Sequence, residues 1–90
     1  MGRAIRARVI GRVQGVYFRA STKIEANKLD ITGWVKNTTH GEVHLEATGS
    51  ENSIERLIVW LNKGPRLALV KQVIIENIDM IESLETFDIL

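Results

Sequence analysis

The spacing of the apolar residues switches between two periods along this chain, and the order of the switches limits the folds open to it. From residue 3 to residue 10 the pattern alternates, with Ile5, Ala7 and Val9 on one side and Arg6 and Arg8 on the other. Successive side chains of a strand point to opposite faces, so this segment reads as a strand with one wet face. From Phe18 the spacing becomes helical: Phe18, Thr22, Ala26 and Leu29 share a side, with Ile24 near its edge. Thr22, Lys23, Ile24 and Glu25 have the composition of a capping box, and Ser21 competes as the cap.

Residues 31 to 37 read as a second strand and residues 41 to 48 as a third. In the third, Val43, Leu45 and Ala47 point inward and Glu42, His44 and Glu46 outward. Asn37, Thr38, Thr39, His40 and Gly41 form the hairpin connection, where Gly41 supplies a positive φ. Ser50 caps a second helix with Ile54, Leu57, Ile58 and Leu61 at helical spacing, and Gly64-Pro65 stops it after Lys63. Residues 69 to 78 are β-branched and apolar, a fourth strand. Residues 85 to 90 allow a short C-terminal edge strand, where two chains could pair.

The order is therefore βαββαβ. Two right-handed crossovers place both helices on one face of an antiparallel sheet, giving the α+β class and a ferredoxin-like sandwich. Ninety residues suit one domain spanning 1–90. If the first and third strands pair, the acidic outer face of the third complements Arg6 and Arg8.

Twelve basic and eleven acidic residues leave a net charge of +1, so overall charge selects no partner. Five arginines precede the first acid, Glu25, while the C-terminal stretch carries Glu76, Asp79, Glu82, Glu85 and Asp88. A basic segment can attract phosphate or nucleic acid. For Arg6 and Arg8, carboxylates on a neighbouring strand are the favoured partners. The absence of cysteine excludes disulfides and thiolate chemistry. No run is long and apolar enough to span a membrane, and the N-terminus lacks the apolar core of a signal peptide. The expectation is a cytoplasmic monomer without a membrane partner.

Residues 11 to 19, GRVQGVYFR, set a polar turn with two glycines between strand and helix and end it with Arg19. Such a turn can direct successive backbone N–H groups into one concavity, where an arginine adds a planar fork for oxyanions. The spacing fits neither a P-loop nor a dinucleotide fingerprint. A plain connecting loop with a solvated Arg19 explains the same residues, so both readings stand. Asn37 can hold a water but cannot act as a base, and a local turn hydrogen bond is its alternative role.

His40 and His44 lack a third convergent ligand and read as surface histidines rather than a metal site. Glu42 and Glu46 read as an ion-pair ladder rather than an acid/base pair. Trp34, on the opposite face from Asn37, should cover part of the core or a strand flank, and Trp60 should border the second helix's buried stripe. RNA-binding sheets of this class present aromatics on their central strands. Here those positions carry Arg, Glu and His, so no nucleic-acid partner is expected. A non-catalytic anion-binding domain would keep Arg19 but would not need Asn37.

GRVQGVYFR resembles the signature loop of the acylphosphatase family. GWVKNTTHGEVHLEATG, residues 33 to 49, resembles that family's second signature, and GPRLALV, residues 64 to 70, its usual exit from the second helix. The resemblance covers nearly the whole chain. It implies hydrolysis of small-molecule acyl phosphates to a carboxylate and inorganic phosphate, without metal or cofactor. It assigns phosphoryl binding to Arg19 and to the amides of Gly15, Val16, Tyr17, Phe18 and Arg19. It also implies that Asn37 orients the attacking water, with Thr38 supporting Asn37. A shallow loop site of this kind should read the phosphate and hardly read the acyl portion.

Overall fold

The computed structural model describes residues 2–80 and 84–90. The elements are β1 (Gly2–Arg12), α1 (Phe18–Lys28), β2 (Thr32–Asn37), β3 (Val43–Ser50), α2 (Glu51–Lys63), β4 (Leu69–Ile78) and β5 (Phe87–Ile89). They build one sheet in the order β4-β1-β3-β2-β5. All neighbours are antiparallel except β2 and β5, which run parallel. Each crossover skips one strand, which produces the interlocked ferredoxin-like α+β sandwich that the periodicity predicts. The short edge strand expected near the C-terminus is β5. Within the segment given to that strand, Phe87–Ile89 align with β2, while the Thr86 carbonyl accepts from the Gly33 N–H and the Leu90 N–H donates to the Val35 carbonyl.

The inward residues of the central strands, Ile5, Ala7 and Val9 of β1 with Val43, Leu45 and Ala47 of β3, are all buried. Phe18 and Ala26 of α1 and Ile54, Leu57 and Leu61 of α2 close over them in one core. Trp60 lies at the edge of the α2 stripe, with its ring centroid 5.5 Å from that of Phe18. Trp34 lies on the open side of β2, half-buried under Lys36, whose Nζ is 5.4 Å from the ring. Of the two roles expected for it, the strand flank is the one observed.

Ser50 caps α2 by accepting from the Ser53 N–H at 3.1 Å. Gly64 ends that helix with φ 70°, and Gly41 turns the hairpin with φ 83°. A Cβ on Gly64 would meet the Phe18 ring at 2.8 Å, so packing as well as backbone conformation requires glycine there. The capping box expected at Thr22–Glu25 does not form. Helix α1 begins four residues earlier at Phe18, and the buried Thr22 hydroxyl donates back to the Phe18 carbonyl at 2.7 Å. Thr22 is thus an interior residue whose hydroxyl is satisfied within its own helix.

On the open face the charges pair as the strand register demands. Arg6 stands opposite both Glu46 and Glu76 and reaches them at 2.7 and 3.1 Å. Arg8 reaches diagonally to Glu42 at 3.2 Å, and His44 touches the same carboxylate at 3.0 Å. Hydrogen bonds from Arg8 and then from His44 hold the Glu42 carboxyl below the usual carboxylate range, against the opposing effect of desolvation. A carboxyl with a lowered folded-state pKa contributes stability at neutral pH. That contribution disappears as pH falls through the folded-state pKa, because only the folded state resists protonation. Urea unfolding at pH 7 and below about pH 4 should therefore show a smaller acid loss of stability for Glu42→Gln than for the parent chain. Identical acid losses in the two proteins would remove this account of Glu42.

Candidate functional site

Strand β1 ends at Arg12 and α1 starts at Phe18, leaving a short turn between them. In that turn Gly15 has φ 73° and Tyr17 φ 63°, while Val16 between them is not left-handed and Phe18 opens a right-handed helix. Backbone of alternating hand swings successive N–H groups to the same side, the geometry of an anion nest. Gly15 adopts its conformation at little cost. Tyr17 does not: a non-glycine residue in this region costs roughly 1–2 kcal/mol. Such strain at the mouth of a helix is a mark of functional sites.

The two helices begin differently. Helix α2 has the Ser50 cap and Glu51 in its first turn. Helix α1 has no side-chain cap and no acidic residue in its first turn. The partial positive charge at the N-terminus of α1 is thus left uncompensated by its own sequence, and Arg19 adds a full charge there. The strand arginines Arg3, Arg6 and Arg8 sit in ion pairs, whereas among the described residues Arg19 has no carboxylate within pairing distance.

These features face a cleft of about 390 Å³ at the end of the sheet. Gly15, Tyr17, Phe18, Arg19 and Asn37 all line it, although Asn37 lies on a different strand and 18 residues after Arg19. Val16 is buried behind the loop. Asn37 ends β2, and its Oδ1 is buried without a hydrogen-bond partner among the described residues. A buried carboxamide oxygen without a partner is costly, so a donor from a ligand or water is its natural complement. The local turn bond that would have given Asn37 a purely structural role is made instead by its neighbour. Thr38 Oγ1 accepts from the N–H groups of His40 and Glu42 at 3.3 and 3.1 Å. Thr38 lies outside the cleft lining and shapes the turn that follows Asn37.

Gln14 is the residue that sequence reasoning passed over. Its Nε2 donates to the carbonyls of Thr38 and Glu42 at 2.8 and 2.9 Å. Both acceptors are carbonyls, so the amide nitrogen must face them. One side chain thereby fastens the nest loop to the hairpin that carries Asn37. Its type and position in the turn are visible in the sequence, but its acceptors are main-chain atoms that only tertiary structure brings near. Among the described residues no three His, Asp or Glu side chains converge as a metal site requires.

Fold and cleft together define a class: an α+β sandwich with a candidate oxyanion site where β1, α1 and β2 meet. Comparison with known proteins narrows it. The acylphosphatase family model matches residues 5–89. An acylphosphatase of Salinibacter ruber is 45% identical over 83 residues, 92% of this chain and 87% of that protein. The structure of an acylphosphatase from Coxiella burnetii superposes with a TM-score of 0.93 at 43% identity, covering 99% of this chain and 93% of that one. The crystal structure of acylphosphatase from Bacillus subtilis gives 0.94 at 33% identity, covering 100% and 99%. The chain belongs to the acylphosphatase family and is an enzyme of that hydrolase class.

The Gln14 clamp has a direct consequence for stability. Gln14→Ala leaves two partly buried carbonyls one donor short, a loss of roughly 1–3 kcal/mol. Gln14→Glu should cost more, because it sets a carboxylate oxygen against those carbonyls. Urea denaturation of both variants measures the order. A Gln14→Glu protein as stable as Gln14→Ala would mean that the clamp does not bear on the loop.

Proposed function

We propose that this chain hydrolyses acyl phosphates, holding the phosphoryl group with Arg19 and the amides of residues 15 to 19 while Asn37 orients the attacking water. The observation that carries the reading is the meeting at one cleft of Arg19, the left-handed turn and the Asn37 Oδ1, which has no partner among the described residues.

The reaction asks for little more. An acyl phosphate is a mixed anhydride whose leaving group is a carboxylate, with a conjugate-acid pKa of about 4 judged by side-chain carboxyls. The bond between phosphorus and the bridging oxygen breaks, and its electron pair leaves with the carboxylate, so no general acid is needed. The water oxygen forms the new bond to phosphorus. The transition state is loose and metaphosphate-like, so a strong nucleophile is not required either. What remains is positioning and stabilisation of charge on the phosphoryl oxygens, which a preorganised set of donors supplies. The proton of the water passes to a phosphoryl oxygen of the substrate, giving dihydrogen phosphate. Neither metal nor cofactor enters this sequence.

Steady-state hydrolysis of acetyl phosphate, with inorganic phosphate as competitive inhibitor, tests the roles separately. Arg19→Ala should lower turnover about a thousandfold, since one donor aimed at developing charge is worth roughly 3–4 kcal/mol. Arg19→Lys should also be poor, because an ammonium lacks the bidentate fork. Asn37→Ala should lower kcat while inhibition by phosphate persists. Collapse of phosphate affinity at unchanged kcat would refute the water-orienting role. A kcat profile governed by an essential enzyme base near neutral pH would rule out proton transfer to the substrate.

A further inference from the structure

We infer that Gln14 is a positioning residue for the proposed hydrolysis: its amide holds the hairpin of residues 38 to 42, and with it Asn37, at a fixed distance from the nest. The inference rests on the proposed roles of Arg19 and Asn37 and adds the group that sets their spacing.

The two walls of the cleft are anchored unequally. The turn after β1 is pinned in the core by Val13, Val16 and Phe18, all buried. Its backbone hand is set locally at Gly15 and Tyr17. The hairpin has no such anchor, since none of residues 38 to 42 is buried. Within it the Thr38 N–H donates to the Glu42 carbonyl at 2.9 Å and the Gly41 N–H to the Thr38 carbonyl at 3.3 Å. These bonds shape the loop without holding it against the rest of the chain. Arg8 and His44 touch the Glu42 side chain on the open face, solvent-side contacts that add little restraint. Among the described residues, Gln14 is the one side chain from outside that bonds to the loop's main chain, at 2.8 Å to the Thr38 carbonyl and 2.9 Å to that of Glu42.

The place of that tie decides what it controls. Gln14 immediately precedes Gly15, the first nest residue, and Thr38 immediately follows Asn37. Asn37 and Val43 form the last rung of the β2–β3 ladder. Without the tie that rung borders an unanchored loop, and local opening starts where buried apolar contacts are few. The nest keeps its core anchors in either case. Loss of the Gln14 amide should therefore loosen the carboxamide that orients water and leave the oxyanion donors in place. Orientation is demanding: a misplacement of about 1 Å can cost on the order of a hundredfold in rate.

The test compares the parent chain with Gln14→Met, which keeps the side-chain length without the donor, and Gln14→Asn, whose shorter amide does not reach both carbonyls. Acetyl phosphate hydrolysis gives kcat, competitive inhibition by inorganic phosphate gives Ki, and urea unfolding shows that each variant is folded under assay conditions. Each should lose about ten- to a hundredfold in kcat, with Ki for phosphate within about twofold of the parent. Added to Asn37→Ala, Gln14→Met should change kcat by less than about twofold, because it acts through a group already removed. Folded variants with the parent's kcat would overturn the inference and leave Gln14 a stabilising contact only. So would equal losses in kcat and phosphate affinity, which would make Gln14 a support of the nest, and so would losses that multiply in the double variant. Asn37→Ala at the parent's kcat would remove the proposed role of Asn37 itself and the inference with it, an outcome distinct from a silent Gln14 variant.

Discussion

The register between β1 and β3 sets the position of everything functional in this molecule. Val9 pairs with Val43, so the turn leaving β1 and the hairpin entering β3 emerge from the sheet at the same end. A slip of one residue would turn Ile5, Ala7 and Val9 toward water and bring Arg6 and Arg8 into the core, so the register is strongly specified. The ion pairs on the opposite face agree with it, since Arg6 meets Glu46 in the same alignment. The hydrophobic pattern thus does double duty: it builds the core and sets the nest beside the Asn37 hairpin. Gln14 then fastens two segments that the sheet has already brought together.

Charge is distributed by a related logic. The arginines on the sheet pair with carboxylates, and the uncapped end of α1 keeps its positive potential together with Arg19. An exposed surface pair contributes little stability. The contrast between the helices makes the point within one chain. Helix α2 carries the usual Ser50 cap and an acidic first turn, and nothing in the lining of the principal cleft comes from it. Helix α1 departs from both rules at the place where Phe18 and Arg19 enter the cleft.

Much of this was legible in the sequence because it follows from local periodicity. The span of β4 was read as it occurs, the Ser50 cap and the Gly64 stop were visible from residue type, and the pairing of Arg6 and Arg8 with acids followed from alternation. The motif at residues 11 to 19 raised the possibility of a nest, and Arg19 and Asn37 do share a cleft. What was not legible depends on contacts between distant segments or on backbone that residue type does not favour. A tyrosine gives no sign that it will adopt a left-handed conformation, so although the helical spacing was read from Phe18, the cap was sought at Ser21 or Thr22 rather than at Tyr17. The acceptors of Gln14 are peptide carbonyls, which no side-chain pattern encodes. Ile89 lines the cleft from a strand whose parallel pairing with β2 no local pattern encodes.

The strained Tyr17, the uncapped helix and the orphaned Asn37 oxygen share one explanation. All three lie at the same cleft, although left-handed backbone at a non-glycine residue also occurs at Asp30. Left-handed backbone at Tyr17 costs roughly 1–2 kcal/mol, a sizeable share of the net stability of roughly 5–10 kcal/mol common for a small domain. A chain of this size can tolerate that cost because its core is continuous from β4 to β5 and both helices are closed over it. Under the proposed function an oxyanion would answer all three departures together: it would accept from the nest amides, complement the helix terminus, and bring a water within reach of the carboxamide. A structural loop would have no reason to gather them, since each could be relieved separately by a glycine, a serine cap or an apolar side chain.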